Sequence, residues 1–351
     1  MRAWLFNEPG DIANLVMEEV DLPVAKPGEV LVEVECAALN PADRFLVQGQ
    51  YPRAGAPPFT PGRDGAGTVI EAAPDSKFNI GDKVVLLGGG LTGVSLPGTL
   101  AEYCSMPEAW VAPMPEGWTF DEAAAGSLTS LTAWRALVVC GGLKTGKAAL
   151  VSGVQKVIET NYGHGLNAGE TVLVTGASGG VGVAAVFLAK ALGANVIALS
   201  RSEEKRKKLI GLGADAAIDT ESPTMEREVR AAAGDTPVSL VVENLGGPYL
   251  EKSLRIVAPE GRVMVVGLLA DLKATVTVGL LIHKNIRVEG LSVANYTPEQ
   301  AQAAWRQIVA LYDKSYHRPV ISQEFLFEDM QKAFAHLQAG PMGKVVVRCK
   351  V

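Results

Sequence analysis

The stretch Thr171-Val172-Leu173-Val174-Thr175-Gly176-Ala177-Ser178-Gly179-Gly180-Val181-Gly182 decides the fold of this chain. Its first half is apolar and β-branched, the composition of a strand buried on both faces of a parallel sheet. Its second half is a glycine-rich turn, after which the pattern predicts a helix over Val183 to Leu192. The turn Ala177-Ser178-Gly179-Gly180-Val181-Gly182 fits the dinucleotide fingerprint G-x-G-x-x-G, with alanine at its first position. Gly179 and Gly180 let the backbone approach a pyrophosphate with no Cβ in the way. Gly182 lets the helix pack close to the strand, and the helix N-terminus aims free N–H groups at the phosphates.

The next strand bears on which dinucleotide binds. It runs from Asn195 to Leu199 and ends in Ser200-Arg201. An acid near this point would hold the ribose 2′-OH of NAD. None stands at the strand end. Arg201 does, and Lys205 lies one helical turn on, so a 2′-phosphate would meet cations. This favours NADP(H) over NAD(H). The plainer alternative is a solvated helix start, with Glu203 and Glu204 alongside.

Length and composition bound the rest. A chain of 351 residues is long for one core and implies two domains. Hydrophobic content of 48% with 38 glycines fits an α/β enzyme rather than a disordered chain. A net charge of −6 argues against a nucleic-acid surface. No apolar run is long enough to span a membrane. Met1-Arg2-Ala3-Trp4-Leu5 enters a strand-like pattern at once, with no targeting signature. Cys36, Cys104, Cys140 and Cys349 are scattered, with neither metal-ligand spacing nor a disulfide framework. A reducing cytoplasm is the expected compartment.

Residues 1 to about 122 carry short strands divided by Pro and Gly turns, such as Pro27-Gly28 and Gly81-Asp82. From about 123 to 296, strands alternate with helices. The strands include Ser239 to Val242, Arg262 to Val266 and an edge strand Ile286 to Leu291. This is the pattern of a doubly wound parallel sheet, giving an α/β fold with a second, β-rich domain. An amphipathic helix from Pro298 to Tyr312 comes next, and a strand at Gly343 to Val347 is placed to return to the first domain, which 297–351 would complete.

Residues 142–153 resemble 165–176 at an offset of 23, and this reads as a duplication or insertion near 142–165. Only the second copy leads into the glycine turn. Gly141, Gly146 and Lys147 also come close to a triphosphate loop, but Ala148 replaces the hydroxyl residue that would hold Mg²⁺. His164, His283, His317 and His336 are dispersed and suggest no proton relay.

Four further segments carry a family resemblance. Gly62-Arg63-Asp64-Gly65-Ala66-Gly67-Thr68-Val69, Gly81-Asp82-Lys83-Val84, Gly98-Thr99-Leu100-Ala101-Glu102-Tyr103 and Leu131-Thr132-Ala133-Trp134 resemble signatures of the medium-chain dehydrogenases/reductases. The resemblance implies a GroES-like catalytic domain, split across both chain ends, around a Rossmann domain. Where the family's zinc alcohol dehydrogenases ligate catalytic zinc with Cys and His, this chain has Asn40 and Arg63. An amide is a poor zinc ligand, and a guanidinium has no free lone pair. No cysteine cluster for a structural zinc is present either, so no metal is expected.

Asn40-Pro41-Ala42-Asp43 followed by Gln48-Gly49-Gln50-Tyr51 resembles the active-site stretch of quinone and 2-enoyl thioester reductases. The resemblance implies that Tyr51 donates a proton or hydrogen bond to an enolate. Tyr51 otherwise reads as a loop aromatic over apolar surface. Asn40 is placed to orient nicotinamide or a substrate carbonyl, or else to hold the Pro41 turn. Asp43 orients Tyr51 or forms a structural ion pair with Arg63. Arg63 polarises a substrate oxygen or anchors Asp43 and Asp64.

Asn244-Leu245-Gly246-Gly247 and Gly267 lie where the family's cofactor crosses the sheet edge, though either stretch also reads as a βα turn needing glycine. Thr129 and Thr132 are candidates for the nicotinamide side, and Lys344 resembles a position near the adenosine phosphate. The expectation is an NADPH-dependent, zinc-independent oxidoreductase for a small-molecule quinone, enone or enoyl substrate, homodimeric through its edge strand. A zinc alcohol dehydrogenase with displaced ligands and a non-catalytic NADPH-binding protein are the rival readings.

Overall fold

The computed structural model describes residues 1–51, 57–88, 90–142 and 169–350. The internal repeat, beyond Gly142, lies outside the described residues, as do Gly146, Lys147, Ala148 and His164. The chain divides into two compact units, one of residues 1–128, 293–305 and 317–351 and one of 129–292 and 306–316. These boundaries depart from 122/123 and 296/297. Two of the divisions fall inside the continuous helices Phe120–Trp134 and Pro298–Lys314, where composition does not change.

The first unit opens with an antiparallel pair, β1 (Arg2–Phe6) and β2 (Leu15–Glu19). Its main sheet is built on β3 (Glu29–Leu39), which is followed by α1 (Pro41–Val47). Around β3 lie β4 (Asp64–Ala72), β5 (Lys83–Leu86), β6 (Tyr103–Pro107) and β7 (Val111–Pro113). Helix α2 (Phe120–Trp134) comes next in the chain.

In the second unit, six parallel strands form one sheet. They are β8 (Thr171–Val174), β9 (Asn195–Leu199), β10 (Ala216–Ile218), β11 (Val238–Glu243), β12 (Arg262–Val265) and β13 (Arg287–Gly290). Helices α3 (Gly180–Ala191), α4 (Glu203–Gly211), α5 (Met225–Ala233), α6 (Pro248–Ile256) and α7 (Val278–Lys284) connect them. The strand order β10-β9-β8-β11-β12-β13 is that of a Rossmann sheet, with its topological switch between β8 and β11. All four residues of β8 are buried, as its unbroken apolar run requires of a central parallel strand. Helix α3 is buried from Gly182 to Ala189, so it is apolar nearly all round.

Helix α8 (Pro298–Lys314) comes after the sheet, and the chain then returns to the first unit through β14 (Ile321–Leu326), α9 (Met330–Gln338) and β15 (Lys344–Arg348). The main sheet there has the order β14-β15-β3-β4-β5-β7, with β6 also on β3. Strand β15 runs antiparallel to β3, pairing Val345 with Leu39 and Val346 with Ala38. No helix among the described residues is long and apolar enough to cross a membrane. All four cysteines are free and buried.

Candidate active site

Sheet register assembles the first cluster. Val345 pairs with Leu39 and Asp64 pairs with Ala38, so Lys344, Asn40 and Asp64 meet at the same end of β15, β3 and β4. Lys344 Nζ donates to Asn40 Oδ1 at 2.7 Å and to Asp64 Oδ2 at 2.8 Å. Asn40 Nδ2 donates to the same Asp64 oxygen at 2.8 Å. The other carboxylate oxygen accepts from Ser127 Oγ at 2.6 Å and from the Leu128 N–H at 2.8 Å, both on α2. All four of these donors converge on a fully buried Asp64. A buried ion pair is tolerated when its remaining lone pairs are satisfied in this way.

Asn40 also starts α1. Its backbone N–H donates to Asp43 Oδ2 at 2.7 Å, one half of a capping box, with Pro41 at the first helical position. Asp43 is fully buried. Burial raises its carboxyl from the ordinary 3.8 to about 6, opposed by the Arg63 guanidinium, the Asn40 N–H and Lys344. Among the described residues no ion pair joins Asp43 to Arg63, and Asp43 Oδ1 has no hydrogen-bond partner. The expected Asp43–Arg63 ion pair is therefore not formed: Asp43 caps α1 through Oδ2 and acts on Arg63 only across a longer distance.

Arg63 is 5% exposed. Its Nη2 donates to Gly90 O at 2.9 Å, while its Nε is buried and without a partner. The guanidinium carbon sits 5.0 Å from the centroid of the Tyr51 ring, a cation–π contact. Thus Arg63 anchors neither Asp43 nor Asp64, but it does lie against Tyr51. Lys344 is likewise not a phosphate contact: its ammonium is buried and bound to two acceptors of the first unit.

The resemblance places a catalytic zinc at Asn40 and Arg63, and these residues do not fit one. The oxygen of Asn40 is taken by an ammonium, its nitrogen is a donor, and the guanidinium offers no lone pair. Among the described residues no group of three or more His, Cys, Asp or Glu is placed to hold a metal.

The second unit carries the nucleotide turn. Helix α3 begins at Gly180 rather than Val183, so Gly180, Val181 and Gly182 form its first turn. A Cβ on Gly182 would lie 2.4 Å from Gly176 O and 2.6 Å from Ala177 Cα, so helix and turn approach only because it is glycine. Gly179 is different. A Cβ there would meet only Gly176 O, at an ordinary 3.5 Å, so the chain itself makes no demand for glycine. An open cradle at a helix N-terminus suits a pyrophosphate.

Ser200 Oγ donates to Ser178 Oγ at 3.4 Å, which joins the turn to the end of β9. Arg201 is exposed, and Lys205 lies in the first turn of α4. Burial lowers the Lys205 ammonium, and repulsion from Arg201 lowers it further, so two cations face each other here. Glu203 and Glu204, the acids of the plainer alternative, pair instead with Lys207 and Lys208.

Glu243, which nothing in the sequence marks, organises the neighbouring turn. Its Oε1 accepts from Thr175 Oγ1 at 2.9 Å, the Leu245 N–H at 2.8 Å and the Gly246 N–H at 3.1 Å. Its Oε2 accepts from Ser253 Oγ at 2.6 Å. Burial raises this carboxyl above its ordinary range, with those donors holding it back. Asn244 Nδ2 donates to Thr175 O at 2.8 Å, and a Cβ on Gly267 would lie 2.3 Å from Asn244 O. The turns after β8, β11 and β12 are thus one bonded unit. Thr129 and Thr132 are buried on α2.

A GroES-like strand unit and a Rossmann sheet with this turn define a class, and comparison with known proteins agrees. Residues 26–116 match the alcohol dehydrogenase GroES-like domain, and residues 180–313 match the zinc-binding dehydrogenase family. The chain belongs to the medium-chain dehydrogenase/reductase superfamily. Quinone oxidoreductase-like protein 2 of Bos taurus is 31% identical over 342 residues, covering 96% of this chain and 89% of that protein. Quinone oxidoreductase of Rattus norvegicus is 29% identical, covering 95% and 92%. Among solved structures, a mycobacterial protein complexed with NADPH is 25% identical with a TM-score of 0.83, covering 99% of both chains. An NAD-dependent alcohol dehydrogenase is 28% identical with a TM-score of 0.83, also covering 99% of both.

Proposed function

We propose that this chain is an NADP(H)-dependent oxidoreductase that reduces a conjugated carbonyl compound, a quinone, enone or enoyl thioester, without zinc. The observation that carries the reading is the buried Lys344–Asn40–Asp64 cluster, which occupies with hydrogen bonds the groups a metal would need. Lacking a Lewis acid for an alkoxide, such a site favours acceptors whose charge is delocalised after hydride addition.

When bound, NADPH would supply a hydride to the electrophilic carbon, giving NADP⁺ and an enolate or hydroquinone anion. Tyr51, whose ring lies against Arg63, then donates a proton or hydrogen bond to that anion. Ser178 to Gly182 would hold the phosphates, and Arg201 and Lys205 would take the 2′-phosphate. That two cations face each other supports NADPH, as does the complex of the mycobacterial relative. Asn244 and Gly267 lie along the same crevice. A homodimer through β13, which ends the sheet among the described residues, is part of the reading, supported by exposed Val278, Ile282 and Val288.

The test is titration with NADPH and NADH, then turnover with a 1,2-quinone and a 2-enone, with metal analysis of the same sample. Tighter binding of NADPH, turnover and no zinc are expected. Near-stoichiometric zinc, or binding of neither nucleotide, overturns the reading.

A further inference from the structure

The state of Arg63 narrows the substrate further. A guanidinium has five N–H donors and a permanent charge. Among the described residues Arg63 spends one donor, on Gly90 O, and its Nε is buried and unpartnered. Burying a cation in this way is costly unless an anion completes it. Neither neighbouring carboxylate bonds it, though Asp43 faces it. Asp64 is committed to Lys344, Asn40, Ser127 and Leu128, and Asp43 is engaged by the Asn40 N–H outside ion-pair distance. Tyr51 meets the guanidinium with its ring, so that contact supplies no oxygen to the N–H groups.

A neutral quinone or ketone oxygen would satisfy one donor and leave the cation with no bonded anion. A carboxylate would satisfy two in the parallel geometry that guanidinium favours, and would cancel the charge. We infer that the substrate carries a carboxylate which docks on the N–H edge of Arg63, so that the natural acceptor is an acidic conjugated carbonyl compound rather than a neutral quinone. This rests on the hydride-transfer reading above. The carboxylate makes and breaks no bond in the reaction; it fixes the acceptor in place. Asp43, the other charge facing Arg63, opposes an anion when ionised, with Lys344 and Asp64 paired to each other beside it.

The experiment measures binding of a non-reacting pair, 4-oxo-4-phenylbutanoate and its methyl ester, by calorimetry on the NADPH-free and NADP⁺-loaded protein. Turnover of the corresponding unsaturated acid and ester is then measured with NADPH. The acid should bind about ten- to hundredfold tighter than the ester, the span of a charge-assisted hydrogen bond. Arg63→Met should abolish that preference. Arg63→Lys, which keeps the charge and loses the fork, should retain only part of it. Asp43→Asn should tighten acid binding and leave ester binding unchanged.

Equal affinity for acid and ester, no binding of the acid at millimolar concentration, or a preference that survives Arg63→Met overturns the inference. If quinone and enone are reduced with NADPH but the acid has no advantage, only the carboxylate assignment fails. If neither nucleotide binds while the acid still prefers Arg63, the oxidoreductase reading fails and the anion site stands.

Discussion

Lys344 and Asp64 show how one residue pair carries more than its own bond. Replacing Lys344 with Met leaves a buried carboxylate with its Ser127, Leu128 and Asn40 donors but no counter-charge. Urea denaturation should show a loss of about 3–5 kcal/mol. The double variant Asp64→Asn/Lys344→Met should cost less than the sum of its two singles, because neither charge is then stranded. Asp43 gives a pH signature. Its folded form keeps a proton that the unfolded chain releases between the ordinary 3.8 and about 6. The folded state therefore binds more protons in that window, and stability falls as pH rises through it. Asp43→Asn keeps an acceptor for the Asn40 N–H and removes the titration. The gap in stability between wild type and variant should move by about 2 kcal/mol between pH 4 and pH 6.

At the scale of elements, the joint between β8 and α3 rests on one missing methyl group. Gly182→Ala puts a Cβ 2.4 Å from Gly176 O, so turn and helix must separate. The expected results are a loss of about 1–3 kcal/mol in stability and a weaker NADPH titration. Glu243→Ala, which strands the donors of Thr175, Leu245, Gly246 and Ser253, should also weaken NADPH binding, and Glu243→Gln should largely preserve it. This turn is legible in sequence because strand, glycines and helix are consecutive, so local sterics determine them. Glu243 is not, since a carboxylate at the end of a strand reads as solvent-facing, and only the folded turn shows its four donors. Lys344 misleads for a related reason: its partner Asp64 is 280 positions away, and nothing near Gly343 points to β3 or β4. Tyr51 and Arg63 stand out singly in the sequence, but their stacking needs the folded chain.

At the scale of the whole molecule, β13, which ends the sheet among the described residues, and the exposed apolar Val278, Ile282 and Val288 make association the matter to measure. Sedimentation should give the mass of two chains, and Ile282→Lys, at a side chain 72% exposed, should shift it to one. The order in which the parts can form is already set by connectivity. The parallel sheet lies within one continuous stretch, 129–292, whereas the other unit needs residues from both sides of it. On a ribosome adding roughly 5–20 residues per second, Asp64 emerges tens of seconds before Lys344. Through that interval the nascent chain holds an acidic group awaiting its ammonium, so the parallel-sheet half is free to fold during synthesis while the unit that holds the Lys344–Asp64 pair matures last.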